Sequence, residues 1–313
     1  MARKSAAAPR REWVLAALLT VQILFGINYV VSKILVGVFP PLVWASIRSV
    51  LSAAVMVGLC LALRRPHPKW SKSYFVPMIF CALTGTIINQ AAFLVGLSYT
   101  TSTNSAILNT LIPVFTLLIV TLRGQEPATL PRIIGFFMAL VGVLILRKVE
   151  DFNFSNKYMV GDLLTLLNCL SYSIFLSFGK KFLEKHDPLW TTAWLFIYGS
   201  IGVSLISIPS WQGFHFPTMT PALWAAGAFA VFGATLLTYL LNFWALAHAR
   251  SSHVALFIYI QPVITSTIAW AFLNEAITFR TAAASVLIFI AMLLAMSSKF
   301  SFFKTPVRGL TSE

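Results

Sequence analysis

The sequence predicts an all-α integral membrane protein of ten transmembrane helices, arranged as two inverted five-helix repeats. Three observations carry that expectation. Apolar residues make up 58% of the 313 and charged ones only 10%, against roughly 25% charged in soluble domains, so a soluble chain of this make-up could not cover its surface. Ten windows approach the length of about 20 apolar residues that crosses a bilayer. The second half of the chain also echoes the first at a nearly constant offset. The same composition excludes a disordered chain, a collagen and most soluble enzymes. Cys60, Cys81 and Cys169 lie in apolar runs, with no paired spacing that points to a disulfide framework or a zinc site.

The windows run over 13–34, 42–63, 74–97, 103–122, 131–148, 160–180, 189–208, 221–245, 253–273 and 279–297. Turn and charge signals separate them: Pro40-Pro41, Arg64-Arg65-Pro66, Gly124, Asn153 to Asn156, Asp187-Pro188, Pro217 to Pro221, Ser251-Ser252 and Asn274. The first window is longer than a signal-peptide core and lacks a clear cleavage site, so it reads as a retained helix. The expected organisation is a basic head over 1–12, a first repeat over 13–150, a second over 158–298 and a tail over 299–313.

Charge sets the orientation. With the N-terminus inside, 17 of the 23 Lys and Arg fall on the cytoplasmic side and five on the other, Arg48 lying within the second span. The positive-inside rule then places both termini in the cytoplasm. The net charge of +14 speaks of membrane orientation and anionic headgroups, not of nucleic acid.

The duplication is visible in polar and proline positions. An offset of 149 carries Ala106 to Val114 onto Ala255 to Val263, Leu97 onto Leu246 and Glu126 onto Glu275; an offset of 147 carries Pro41 onto Pro188 and Lys33 onto Lys180. Each copy has an odd number of spans, so the second must cross in the opposite sense. Antiparallel copies about an in-plane pseudo-two-fold axis are an architecture of secondary transporters.

These residues bring a family into view. The chain resembles the EamA-type members of the drug/metabolite transporter superfamily over roughly residues 12–298. The marks are Phe25-Gly26-Ile27-Asn28 with Lys33, Arg48, Gly96 to Thr100, Thr103 to Ala106, Leu111-Ile112-Pro113, Ala245-Leu246-Ala247, Ser251 to Ala255, Gln261-Pro262 and Asn274-Glu275. Two departures stand out: Gly124-Gln125-Glu126-Pro127 is an imperfect form of the family's Leu-Gly-Glu turn, and Leu195 occupies the repeat position of Arg48. The resemblance implies a ten-helix, 5+5 transporter of small metabolites, often an exporter of amino acids or related compounds.

Intramembrane polar groups are costly and face a bundle interior or a water-filled path. Here they line particular helical faces: Gln22, Gly26, Tyr29 and Lys33 in the first span, Ser102, Ser105, Asn109 and Pro113 in the fourth, and Thr165, Asn168 and Tyr172 in the sixth. The expected cavity is lined by spans 1, 3, 4, 6, 8 and 9. Its candidate substrate-binding residues are Asn28, Asn89, Gln90, Asn109, Tyr172, Tyr239, Asn242, Tyr259 and Gln261; interhelical hydrogen bonding is the competing use of each. Pro113 and Pro262, repeat partners expected in mid-helix, are candidate hinges, because each removes a backbone hydrogen bond.

Arg48 and Lys33 are the intramembrane charges. Arg48 lies about seven residues into its helix, roughly 10 Å deep, with no membrane acid beside it; a structural role is favoured over attraction of a substrate carboxylate. Lys33 and Lys180 read as snorkelling side chains at span ends. Glu126 and Glu275 read as turn or interface groups, with Arg132 and Arg280 as candidate partners. Small residues at Gly135, Ala139, Gly142 and Ala282 to Ala284 suit close helix packing or a homodimer contact.

No catalytic constellation, metal-binding motif or phosphate-cradling loop is present, so neither enzyme activity nor a cofactor is expected. The expected partners are a small-molecule substrate and the lipid bilayer of a bacterial plasma membrane. The reading is an alternating-access secondary transporter that exports amino acids or related solutes. A nucleotide-sugar or other phosphorylated-metabolite carrier is the alternative, and an integral-membrane lipid-modifying enzyme is the competitor from another class.

Overall fold

A computed structural model describes residues 11–69, 71–125, 129–146, 157–183 and 185–296. Among them every regular element is helical. In chain order these are α1 (Arg11–Val36), α2 (Pro41–Ala62), α3 (Lys72–Tyr99), α4 (Ser102–Leu122), α5 (Leu130–Leu146), α6 (Lys157–Leu183), α7 (Pro188–Ser207), α8 (Pro221–His248), α9 (starting with Ser251–Leu256 and ending with Gln261–Leu273) and α10 (Phe279–Met296). Eight are long and apolar enough to cross a membrane; α5 and α10 are apolar helices of 17 and 18 residues.

Local chemistry explains the boundaries. Pro41, Pro188 and Pro221 each open a helix at its first position, where the missing N–H costs nothing. Asp187 accepts from the amides of Leu189 and Trp190 at 3.0 and 3.2 Å, capping α7, and pairs with Arg65 at 3.6 Å. Asn274 ends α9 in a left-handed conformation at φ 53°, a conformation asparagine tolerates.

The packing follows the repeat. α1 lies against α8 and α9, and its mate α6 lies against α3 and α4; α2 packs on its own mate α7, and α5 on α10. The halves are therefore interleaved, not side by side. α3 and α6 approach most closely at Gly96 and Gly161, where a Cβ on either would lie 2.9 Å from the other's carbonyl oxygen. Gly135, Gly142, Ala284 and Ala291, among the small residues of α5 and α10, are buried. Leu61, Val76, Leu122, Leu205 and Phe272 are exposed on the outer surface, as lipid-facing residues must be.

Four helices are irregular, again in repeat pairs. α3 contains a π-helical segment at Leu83–Ile87 and α8 one at Phe229–Leu237; the first falls within the second at the 149-residue offset. α4 breaks between Leu108 and Leu111, and α9 passes through a 3-10 turn at Phe257–Ile260. This corrects the placement of the prolines. Pro113 and Pro262 are not in mid-helix: each sits in the first turn of the second segment. The helix is already broken there, so the absent proline N–H removes no bond from a continuous ladder.

Candidate functional site

A central cavity of about 80 Å³ lies between the two repeats. Six helices expected to line it do so. α1 contributes Gln22, Phe25, Asn28 and Tyr29; α3 contributes Asn89, Gln90 and Phe93; α4 contributes Asn109 and Ile112. From the second repeat come Asn168, Tyr172 and Leu176 of α6, Thr235, Tyr239 and Asn242 of α8, and Val254, Ile258 and Gln261 of α9. Arg48 adds α2 to the wall.

The cavity lies on the pseudo-two-fold axis. Phe25 and Tyr172, and Tyr29 and Leu176, are mates at the 147-residue offset; Gln90 and Tyr239, Phe93 and Asn242, Asn109 and Ile258, and Ile112 and Gln261 are mates at 149, and all twelve line the wall. Duplication has kept the positions while the chemistry has diverged. In five of the six pairs one copy is polar and the other apolar, so polar and apolar walls face one space.

The polar groups are organised into chains of hydrogen bonds. The Asn89 amide donates to Asn168 Oδ1 at 2.5 Å, Asn168 donates to Asn109 Oδ1 at 2.6 Å, and Asn109 donates to the carbonyl of Ser105 at 2.8 Å. Tyr29 donates to Gln261 Oε1 at 3.1 Å, and Gln261 donates to Gln22 Oε1 at 2.5 Å. Asn242 donates to the Tyr172 hydroxyl, and Tyr239 donates to the carbonyl of Gly85 inside the π-segment of α3, each at 2.7 Å. A single Asn thus serves both packing and cavity, and the two uses weighed in the sequence are not exclusive.

Arg48 is 4% exposed. One guanidinium nitrogen donates to Gln90 Oε1 at 2.9 Å, and Ser49 donates weakly to the same oxygen at 3.4 Å. Its Nε is buried with no hydrogen-bond partner among the described residues. Among the described residues it is the one charged side chain in the lining, so the guanidinium is part of the cavity wall. Its repeat mate Leu195 is fully buried in the apolar core.

Lys33 is elsewhere. Its Nζ donates to the carbonyls of Leu97, Ser98 and Thr100 at 2.8, 3.4 and 2.6 Å, capping the C-terminal end of α3. Lys180 does the same for α8, donating to the carbonyls of Leu246 and Ala249. Each meets carbonyls at a helix end that have no partner within the helix. Glu275 also departs from expectation. Its carboxylate accepts from Ser102 N at 2.9 Å, Thr103 N at 3.1 Å and Thr103 Oγ1 at 2.7 Å, so it caps α4 of the other repeat, where free amides outbid the expected Arg280. Glu126 lies outside the described residues, as does the side chain of Arg132.

Eight of the nine candidate binding residues line the cavity; Tyr259 does not. The 3-10 turn shifts the helical phase, and Tyr259 packs with Ile107, Leu108 and Leu111 in an apolar cluster beside α5 and α10. Phe25, Phe93, Ile112, Leu176, Val254 and Ile258 escaped a search for polar groups. The repeat offset applied to each polar residue would have found five of these six, all but Val254.

A helical membrane protein whose duplicated five-helix halves interleave around a polar cavity is built as a secondary transporter. The model of the EamA-like transporter family matches the chain twice, at residues 12–148 and 159–297, and the chain belongs to that family. It is 25% identical over 284 residues to the uncharacterized transporter YyaM of Bacillus subtilis (strain 168), covering 89% of this chain and 92% of that one. It is 31% identical over 226 residues to an uncharacterized transporter of Archaeoglobus fulgidus, covering 72% and 77%. A solved crystal structure shares the fold with a TM-score of 0.65 at 16% identity, over 92% of this chain and 97% of that one. The protein is a multi-pass membrane transporter and not an enzyme.

Proposed function

We propose that the protein is an alternating-access secondary transporter that exports amino acids or closely related small solutes through the central cavity. The observation that carries this reading is the wall itself: neutral amides and hydroxyls facing aromatic and aliphatic mates across a two-fold axis. Such a wall suits a solute with one polar, hydrogen-bonding end and one apolar end. A phosphorylated metabolite or nucleotide sugar needs several cations, and Arg48 is alone there. A cavity of about 80 Å³ is small beside the roughly 300–1,000 Å³ of ordinary ligand pockets, so the solute enters a state in which the helices have spread. The breaks before Pro113 and Pro262 are the hinges at which the halves over 13–150 and 158–298 move. Both termini, the head over 1–12 and the tail over 299–313, face the cytoplasm, and the membrane is the plasma membrane of a bacterium.

The test compares the metabolites released by cells with and without the protein, followed by flux of the leading compound in proteoliposomes. Asn109→Leu and Tyr239→Phe should lower that flux by about 5- to 50-fold while leaving the protein in the membrane; each removes hydrogen bonds worth about 1 kcal/mol or more. Unchanged flux in both variants would sink the cavity assignment.

A further inference from the structure

We propose that Arg48 is the specificity-determining residue of the transport site, its guanidinium receiving the carboxylate of the solute, with Gln90 as the positioning residue that holds it. This rests on the reading of the cavity as the transport site and deepens it: the solute carries a free carboxylate.

The argument is one of unbalanced charge. A buried ion is strongly unfavourable unless a counter-charge and hydrogen bonds surround it. Arg48 is 4% exposed, yet among the described residues no Asp or Glu lines the cavity with it. Its side-chain partner among the described residues is one neutral amide oxygen, and its Nε is left without any partner among them. A guanidinium has five N–H donors in a planar fork that matches a carboxylate with two parallel bonds. Nothing in the wall fills that fork, and the space it borders is the cavity. A structural arginine would be satisfied; Lys33, the other charge of the membrane region in the first repeat, reaches three backbone carbonyls.

Two further features agree. The repeat does without this charge in its other copy, where Leu195 is buried in the core, so the fold itself does not require a cation at this position. Gln90 turns its oxygen toward both Arg48 and Ser49, which fixes the guanidinium from one side and leaves its remaining donors for a ligand. The incoming carboxylate pairs with the guanidinium, so the arginine's own charge is compensated in the loaded state.

The experiment has two arms with wild type, Arg48→Met, Arg48→Lys and Gln90→Leu. The first measures thermal stability of the empty proteins in detergent. Removing an uncompensated buried cation should leave Arg48→Met as stable as wild type or more so; a clear drop in Tm would mean that Arg48 is structural and would overturn the proposal. The second measures flux and thermal stabilisation with three probe series: L-amino acids, their carboxamides, and the corresponding amines. Wild type should prefer each acid over its amide by about 10- to 100-fold, the range expected for charge-assisted hydrogen bonds. Arg48→Met should lose that preference, Arg48→Lys should keep part of it, and Gln90→Leu should weaken it with little change for the amides. Equal handling of acid and amide by wild type, or a preference that survives in Arg48→Met, overturns the assignment of Arg48. If wild type moves none of the three series, the amino-acid reading fails instead. In that case simple carboxylates such as benzoate should still stabilise wild type and not Arg48→Met, and absence of that difference overturns this proposal as well.

Discussion

Gly96 and Gly161 show how much a single atom decides in this bundle. A Cβ on Gly96 would meet the Gly161 carbonyl at 2.9 Å and the Thr165 hydroxyl at 3.1 Å. Backbone cannot retreat as a flexible side chain can, so Gly96→Val should lower stability by about 1–3 kcal/mol, the usual cost of overpacking, seen as a fall in Tm of the purified protein. Gly58 is the control: nothing lies within 4 Å of its Cβ position, and Gly58→Ala should be neutral or stabilising by up to about 1 kcal/mol through helix propensity. If the two substitutions had equal effects, close packing of α3 on α6 would not be what selects glycine. Asn168 makes the same point for polar groups. Its place on the face shared with Thr165 and Tyr172 is legible from spacing, but its position between Asn89 and Asn109 is not, because that depends on how three helices pack. Tyr259 fails in the sequence for a related reason: a 3-10 turn of four residues alters the phase on which the face was counted.

Among the elements, the junction of α3 and α4 has the most explicit electrostatics. Lys33 of α1 caps the carbonyl end of α3, and two residues later Glu275, at the end of α9, caps the amide end of α4. Thr101 completes the cap by accepting from Asn104 N at 3.1 Å. A cation at a helix C-terminus and an anion at an N-terminus are both favoured by the helix dipole. The turn is thus held from both repeats at once, and it lies at the end of the bundle opposite the Lys180 cap on α8. Lys33→Met and Glu275→Gln should each lower stability by about 1–2 kcal/mol. Glu275→Lys should be worse than Glu275→Gln, since it puts a like charge on free amides. Thermal unfolding in detergent reads all three, and a Glu275→Lys variant as stable as wild type would rule out the cap. The sequence matched Lys33 with Lys180 and Leu97 with Leu246 by offset. It did not reveal that one of each pair binds the other, because the link joins a side chain to a backbone carbonyl, and carbonyls leave no trace in residue identity.

At the scale of the whole molecule, composition and repeat made the architecture legible: helices alone among the described residues, two copies of one repeat, and six of the seven helices that meet at the cavity. The mirrored irregularities escaped, since the π-segments of α3 and α8 carry no proline or charge that announces them. Orientation is the property that the sequence addresses most directly and that packing cannot address, because an interleaved pair of inverted repeats looks alike from either end. The connection between α7 and α8 contains no Lys or Arg, whereas that between α2 and α3 contains Arg64, Arg65 and Lys69, and Lys72 opens α3. Positive residues in short connections stay in the cytoplasm, so the first of these should face outward and the second inward. Cys60, Cys81 and Cys169 are all buried and free, which allows a test with added thiols. Gln212 and Lys69 are exposed, one in each connection. In a chain whose native cysteines are replaced by alanine, Gln212→Cys should react with a membrane-impermeant maleimide on intact cells. Lys69→Cys should react only after the membrane is opened. The reverse pattern would invert the protein in the membrane. It would also move the Glu275 cap from the outer end of the bundle to the cytoplasmic one.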